Sequence, residues 1–510
     1  MTTESKPLDL AIIGGGVNGC GIARDAAGRG LSVYLCEKGD LASGTSSSST
    51  KMIHGGLRYL EHYAFRLVRE SLIEREILWR AAPHIVEPLR IVLPHHAGLR
   101  PAWLIRLGLW LYDHIGGRKL LPPTGSVDLS TDPIGRPLVE GYTRAFEYSD
   151  CWVDDARLVV LNAVHAAELG AVVETRTEAT SLKSRDGLWH LTVRQADGSE
   201  RVVQARAVVN AAGPWVADVL QGAASKASES RVRLVRGSHL VVPRLHDDDR
   251  GYLFQNTDGR VMFVLPYEQD FSLIGTTDID HEGVPDAVSV SDEEVQYLCD
   301  AVSEYLSVPV TPGDVVHRFS GLRPLYDDGS SAAQEATRDY VFELDSESGA
   351  PLLSIFGGKI TTYRRLALEA LEKLSALVPH RQSGWTQDVA LPGGDFPVQG
   401  HADLVRSVAR QWPFLDAAQA ARLVRSYGTR VHRILGGART LADLGQDFGH
   451  GLYQVEVDYL VATEFAVTAE DILWRRSKLG LRFGVPECEQ LSRYCASLSD
   501  SAAEPARRTG

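Results

Sequence analysis

Hydrophobic positions fall into short apolar runs near the start of the chain. They alternate with polar ones in its middle and recur at helical spacing near its end. In LDLAII (8–13) only Asp9 interrupts the apolar run, the pattern of a strand buried in a parallel sheet. Small and apolar residues from Val17 to Gly28 predict a helix lying close on that sheet, and 31–36 predicts a second strand. Val208 and Val209, followed by Asn210, Ala211, Ala212 and Gly213, predict a strand ending in a turn. Leu352–Phe356 predicts a further buried strand, turned by Gly357 and Gly358 into a helix from Ile360. The stretch GYLFQNTDGRVMFVLPYEQDFSLIGTTDI (251–279) alternates and predicts antiparallel strands. LPGGDFPVQG (391–400) predicts a linker, and three segments within 402–466 carry helical spacing, with Thr468 as a candidate cap for the helix that follows. Another helix is expected from about Leu57.

The first strand, helix and strand frame Gly14, Gly16 and Gly19 as G-x-G-x-x-G, with Glu37 closing the second strand. Gly14 permits the tight turn, Gly16 a close approach to a pyrophosphate, and Gly19 close helix–strand packing. Glu37 suits a ribose. A dinucleotide, NAD(P) or FAD, is expected. The position of the motif at the chain's start favours FAD, as does SSSSTKMIHGGLRYLEH (46–62). There Ser46–Ser49 offer hydroxyls and open amides to phosphate and ribityl oxygens, and Gly55 and Gly56 let backbone pass a flat ring. Ala212 and Gly213 suit a second backbone approach. Lys359, beside a helix N-terminus, makes a positive site that would stabilise reduced flavin.

Together with FEYSDCWVDDARLV (146–159), RGSHLVVPR (236–244), FSGLRPL (319–325), ATRDY (336–340) and FGGKITTYR (356–364), the first sixty residues closely resemble the FAD-dependent glycerol-3-phosphate dehydrogenases of bacterial and mitochondrial respiration. The resemblance implies an α/β Rossmann-like FAD-binding domain, an antiparallel β-sheet substrate domain and a C-terminal all-α domain. The first is read as discontinuous, over 8–90, 150–235 and 345–385. The second is read over 236–344 and the third over 391–510, with 91–149 as an excursion. Asn18, Thr45, Ser46, Ser47, Lys51, His54, Gly55, Ile360 and Thr361 join the glycines, Glu37 and Lys359 as candidate cofactor residues.

The resemblance also implies oxidation of sn-glycerol 3-phosphate to dihydroxyacetone phosphate by hydride transfer to FAD, and then to a quinone. It places Arg58, Tyr59, His239, Arg323, Arg338 and Lys359 around the substrate. His239 is the first candidate for the base that takes the hydroxyl proton, with His54 as its competitor. Arg323 would orient the hydroxyl and stabilise alkoxide charge. The rival readings are a flavin oxidase acting on glycerol 3-phosphate or an amino acid, and a flavin-binding regulator without turnover.

Charge and composition narrow the partners. A net charge of −13 argues against binding nucleic acid by bulk charge. Six cysteines without C-x-x-C or zinc spacing are expected to be reduced thiols in a cytosol-facing protein. The first ten residues lack the charged and apolar regions of a secretory signal. No apolar run is long enough to span a bilayer, at about 18 residues or more. RPAWLIRLGLWLYDHIGGRKLL (100–121) instead sets Trp103 and Trp110 beside a wide apolar arc, bracketed by Arg100, Arg118 and Lys119. That pattern suits a bilayer interface and equally a core helix covered by its own protein; the resemblance implies peripheral contact with the inner face of the cytoplasmic membrane, and a homodimer.

Overall fold

The computed structural model describes residues 6–96, 98–223, 232–256, 259–286, 288–327, 339–346, 349–381 and 384–507. Among them, the N-terminal runs build an eight-stranded sheet. Its order is Val341–Asp345, Leu352–Phe356, Glu200–Asn210, Leu8–Ile13, Val33–Cys36 and Val172–Glu174. Leu188–Gln195 and Thr177–Arg185 extend it antiparallel from Glu200–Asn210. Leu8–Ile13 runs parallel to both neighbours, with Ala11 opposite Val208 on one side and Tyr34 on the other. Helices Val17–Gly28, Asp155–Glu168 and Tyr363–Leu374 cover one face through Cys20, Ala23, Leu158, Leu161, Leu366 and Ala370. The closeness expected of Gly19 is real: a Cβ there would stand 2.0 Å from the Gly14 carbonyl oxygen.

The alternating strands belong to a second, ten-stranded and mostly antiparallel sheet. It is wider than the 236–344 segment assigned to it. Val86–Pro94 pairs with Arg144–Val153 in unbroken register from Val86↔Val153 to Pro94↔Ala145, and Met52–Ile53 pairs on the far side. The stretch 91–149 is therefore not a separate excursion, and the boundary at 236 falls inside the strand Val232–Pro243. The reason is burial. Phe146 and Tyr148–Val153 are buried in succession, so they carry no inside–outside alternation to read. Helix Asp292–Ser303, closed by a capping box between Ser291 and Glu294, packs on this sheet through Val295, Leu298 and Val302.

After the linker the chain is helical as expected, around Val408, Trp412, Leu423, Val457, Leu460 and Leu491. The helix expected from Leu57 is broken. A 3₁₀ segment, Leu57–His62, ends at Tyr63 with φ 56°, and the α-helix starts at Phe65. No helix among the described residues is long and apolar enough to cross a membrane, and they hold no cluster suited to a metal ion.

Candidate active site

A cavity of about 910 Å³ runs between the sheets from the glycine turn to helix Ala102–Ile115. At one end Gly14, with φ 112°, crosses so close to the next strand that a Cβ would stand 2.5 Å from the Ala211 oxygen. Both Glu37 oxygens accept backbone N–H groups, from Gly15 and Gly39 at 2.7 Å each. Burial pushes the Glu37 carboxyl above its ordinary range, and the two N–H donors oppose that rise. Glu37 lines the cavity, where ribose hydroxyls would donate to its remaining lone pairs. Ser46 Oγ accepts from Val17 N at 3.0 Å, and Thr45 Oγ1 donates to the Leu322 carbonyl at 2.5 Å.

Gly357 and Gly358, with φ of 73° and 100°, turn the chain along the cavity wall into a 3₁₀ segment, Ile360–Thr362, and then the helix Tyr363–Leu374. Asn18 Nδ2 donates to the Gly357 carbonyl at 3.3 Å. Its Oδ1 is buried without a protein partner and belongs to a residue that lines the cavity. Lys359 stands 4.7 Å above the Tyr59 ring and donates to Ser71 Oγ at 3.3 Å. A glycine turn, an acid at the strand end, an orphaned amide oxygen and a lysine at a helix start fit a flavin dinucleotide.

Gly14, Gly16, Asn18, Glu37, Thr45, Ser46, His54, Arg58, Tyr59, Ala212, Gly213, Arg323, Gly357, Gly358, Lys359, Ile360 and Thr361 all line the cavity. Gly19, Ser47, Lys51, Gly55 and His239 do not. Lys51 is buried against Asp155, with Nζ 2.7 Å from Oδ2, and also donates to the Ser47 carbonyl at 2.5 Å. Ser49 Oγ donates to the same carboxylate oxygen at 2.7 Å, so this pair shapes the serine loop from behind. The Gly55 amide is shared between Tyr112 Oη at 2.8 Å and Asp150 Oδ1 at 3.2 Å. Arg338 lies outside the described residues.

His239 stands one side chain back from the cavity. It is 0% exposed, stacked on Phe319 with ring centres 5.0 Å apart, and roofed by Gly275. Its Nε2 lies 3.0 Å from Thr50 Oγ1, and Thr50, not His239, faces the cavity. Burial, with Arg323 and Lys51 nearby, holds its pKa well below the ordinary histidine range, so the ring is neutral. Among the described residues lining the cavity, the histidine is His54. Its carbonyl accepts from Thr361 Oγ1 at 3.3 Å.

Arg323 extends over Gly237 on the neighbouring strand, pairs with Asp278 and donates to Thr276 Oγ1 at 3.3 Å. Asp278 lines the cavity and was not singled out from the sequence. It lies in IGTTDID (274–280), in the polar cluster TTD that follows the strand Phe271–Gly275. Arg58 donates to the Gly259 carbonyl at 2.7 Å.

Comparison with known proteins follows the same division. Residues 9–364 match the family model of FAD dependent oxidoreductases, and 385–496 match the C-terminal domain of alpha-glycerophosphate oxidase. The chain is 52% identical to D-erythritol 1-phosphate dehydrogenase of Brucella abortus, covering 93% of this chain and 95% of the relative. It is 51% identical to glycerol-3-phosphate dehydrogenase of Pseudomonas aeruginosa, covering 97% of each. Its fold matches the X-ray structure of glycerol-3-phosphate dehydrogenase from Bacillus halodurans complexed with FAD. The TM-score is 0.77 at 26% identity, over 97% of this chain and 91% of that one.

Proposed function

The chain belongs to the FAD-dependent oxidoreductase family, and from that premise we propose that it oxidises the secondary alcohol of sn-glycerol 3-phosphate to dihydroxyacetone phosphate. The observation that carries this reading is the convergence of Arg323, Lys359, Arg58 and His54 on one cavity with the glycine turn. When bound, FAD supplies the hydride acceptor. Arg323 and Lys359 hold the anionic substrate, and the pairing of Arg323 with Asp278 fixes its guanidinium plane. His54 takes the hydroxyl proton, in place of His239. His239, neutral and buried, orients the Thr50 hydroxyl.

The Brucella relative favours a second reading, D-erythritol 1-phosphate as substrate, since its identity of 52% stands beside 51% for the glycerol-3-phosphate enzyme. Both compounds present a secondary alcohol and a phosphate. The test is kcat/KM for each with an artificial dye. Glycerol 3-phosphate ahead by about tenfold or more supports the first reading; the reverse order replaces it.

The proposal extends to a quinone acceptor, to contact with the inner face of the cytoplasmic membrane, and to a homodimer. The membrane part is supported by helix Ala102–Ile115. Trp103, Leu107 and Trp110 are 68%, 53% and 55% exposed beside Arg100 and Arg106. Aromatic residues with flanking cations suit a bilayer interface. The quinone part is supported by Leu104, Leu107 and Leu111, which line the same cavity and give an apolar acceptor a route from that surface.

A further inference from the structure

Asp40 begins the turn that carries Ala42–Ser46 along the cavity wall, yet Asp40 itself does not line the cavity. Its carboxylate is buried in the C-terminal helical unit. Arg476 grips it with two bonds, Nη1 to Oδ2 at 2.7 Å and Nη2 to Oδ1 at 2.9 Å, and Arg475 Nε reaches Oδ2 at 2.5 Å. Arg476 also donates to the Glu464 carbonyl at 3.1 and 2.7 Å, and the Glu464 carboxylate pairs with Arg157 of the first domain. Asp40, Arg157, Glu464 and Arg476 are all buried. The other side of the turn is tied as well. Arg176 N donates to the Gly39 carbonyl at 2.8 Å, and the Arg176 guanidinium reaches Asp471 Oδ2 at 2.5 Å.

Local winding explains how two consecutive arginines share one carboxylate. Asp471–Arg476 is a turn of π-helix, with Ser477 N donating to the Ile472 carbonyl five residues back at 3.0 Å. The wider turn brings Arg475 and Arg476 to the same side. The expected cap is present: Thr468 Oγ1 accepts from Asp471 N at 3.3 Å. What this machinery restrains is a strained turn. Ala42 has φ 62°, unfavourable for a residue with a Cβ, and its N–H donates to the Gly15 carbonyl at 3.0 Å beside the glycine motif.

We propose that the C-terminal helical unit is a positioning device for the dinucleotide, in which Arg475 and Arg476 hold Asp40 and so keep the 39–48 loop in its cofactor-binding shape. The inference rests on the dinucleotide site and is independent of which polyol phosphate is oxidised.

The test is FAD dissociation from the full-length holoenzyme, read as recovery of flavin fluorescence on dilution, with amide hydrogen exchange of residues 39–48. Asp40→Asn and Arg475→Gln should each weaken FAD binding about tenfold or more and speed exchange in that loop. Arg475→Gln leaves the Arg476 pair in place, so it decides the matter if Asp40→Asn does not fold. Glu168→Gln is the control. It breaks the Arg430–Glu168 pair, 2.6 Å, between the same two units but away from the loop, and should leave both readouts unchanged. FAD affinity within about twofold of the parent in Arg475→Gln, or an equal loss in Glu168→Gln, overturns the proposal.

Discussion

Gly237→Ala moves Arg323 without altering its charge. Gly237 and Arg323 lie on paired strands, and a Cβ on Gly237 would stand 2.5 Å from Arg323 Nη2 and 2.8 Å from Cζ. Those atoms are the far end of a long, flexible side chain, so the guanidinium swings away and the sheet stays intact. Gly237 has no positive φ, so alanine is tolerated by its backbone. The displaced arginine loses Asp278, Thr276 and its aim at the substrate. A hydrogen bond to a charged group contributes about 1.5–3 kcal/mol, so kcat/KM should fall about 10- to 150-fold. FAD content and melting temperature should remain near the parent values. The assay is anaerobic stopped-flow reduction of the flavin by glycerol 3-phosphate, with a thermal melt of the same sample. Reduction within about twofold of the parent rate constant would refute the role given to Arg323.

His54→Gln should lower the rate of flavin reduction by about 10²- to 10⁴-fold, and His239→Gln by far less, which the same stopped-flow measurement separates. Gly19→Ala sets a Cβ 2.0 Å from the Gly14 backbone oxygen and should yield protein without FAD, visible in its absorption spectrum. Lys51→Met strands the buried Asp155 carboxylate and should cost about 3–5 kcal/mol in denaturant titration. Acid should destabilise the fold through His84, whose burial lowers its pKa to about 3. The unfolded chain takes up this proton as pH falls below about 6.5 while the folded chain does not, so stability falls with pH. From pH 6.5 to 5 the loss is about 2 kcal/mol for His84, and His84→Phe should flatten that slope.

The glycine turn and its two strands were legible because each residue there obeys a local rule. Gly14 needs a positive φ, Gly19 has no room for a Cβ, and Glu37 ends its strand. Direction was harder to read. Lys51 and Gly55 stand in the same motif as His54, yet Lys51 is buried against Asp155 and neither lines the cavity, and chain proximity does not show which side a residue takes. The placement of His239 was illegible for a related reason: RGSH names a histidine near the site but not the threonine between it and the cavity. The pairings of Asp278 and Asp40 were illegible because their partners lie 45 and 436 residues away in the chain. Burial also hid the strands at 86–94 and 144–153 from an alternation pattern.

The most direct measurement is the visible spectrum of the purified protein on addition of sn-glycerol 3-phosphate without oxygen, beside D-erythritol 1-phosphate and plain glycerol. The expected result is a flavin band that glycerol 3-phosphate bleaches rapidly and glycerol barely affects, because Arg323 and Lys359 are proposed to bind the phosphate. A flavin band that glycerol 3-phosphate leaves unchanged, or that glycerol bleaches equally well, would contradict it.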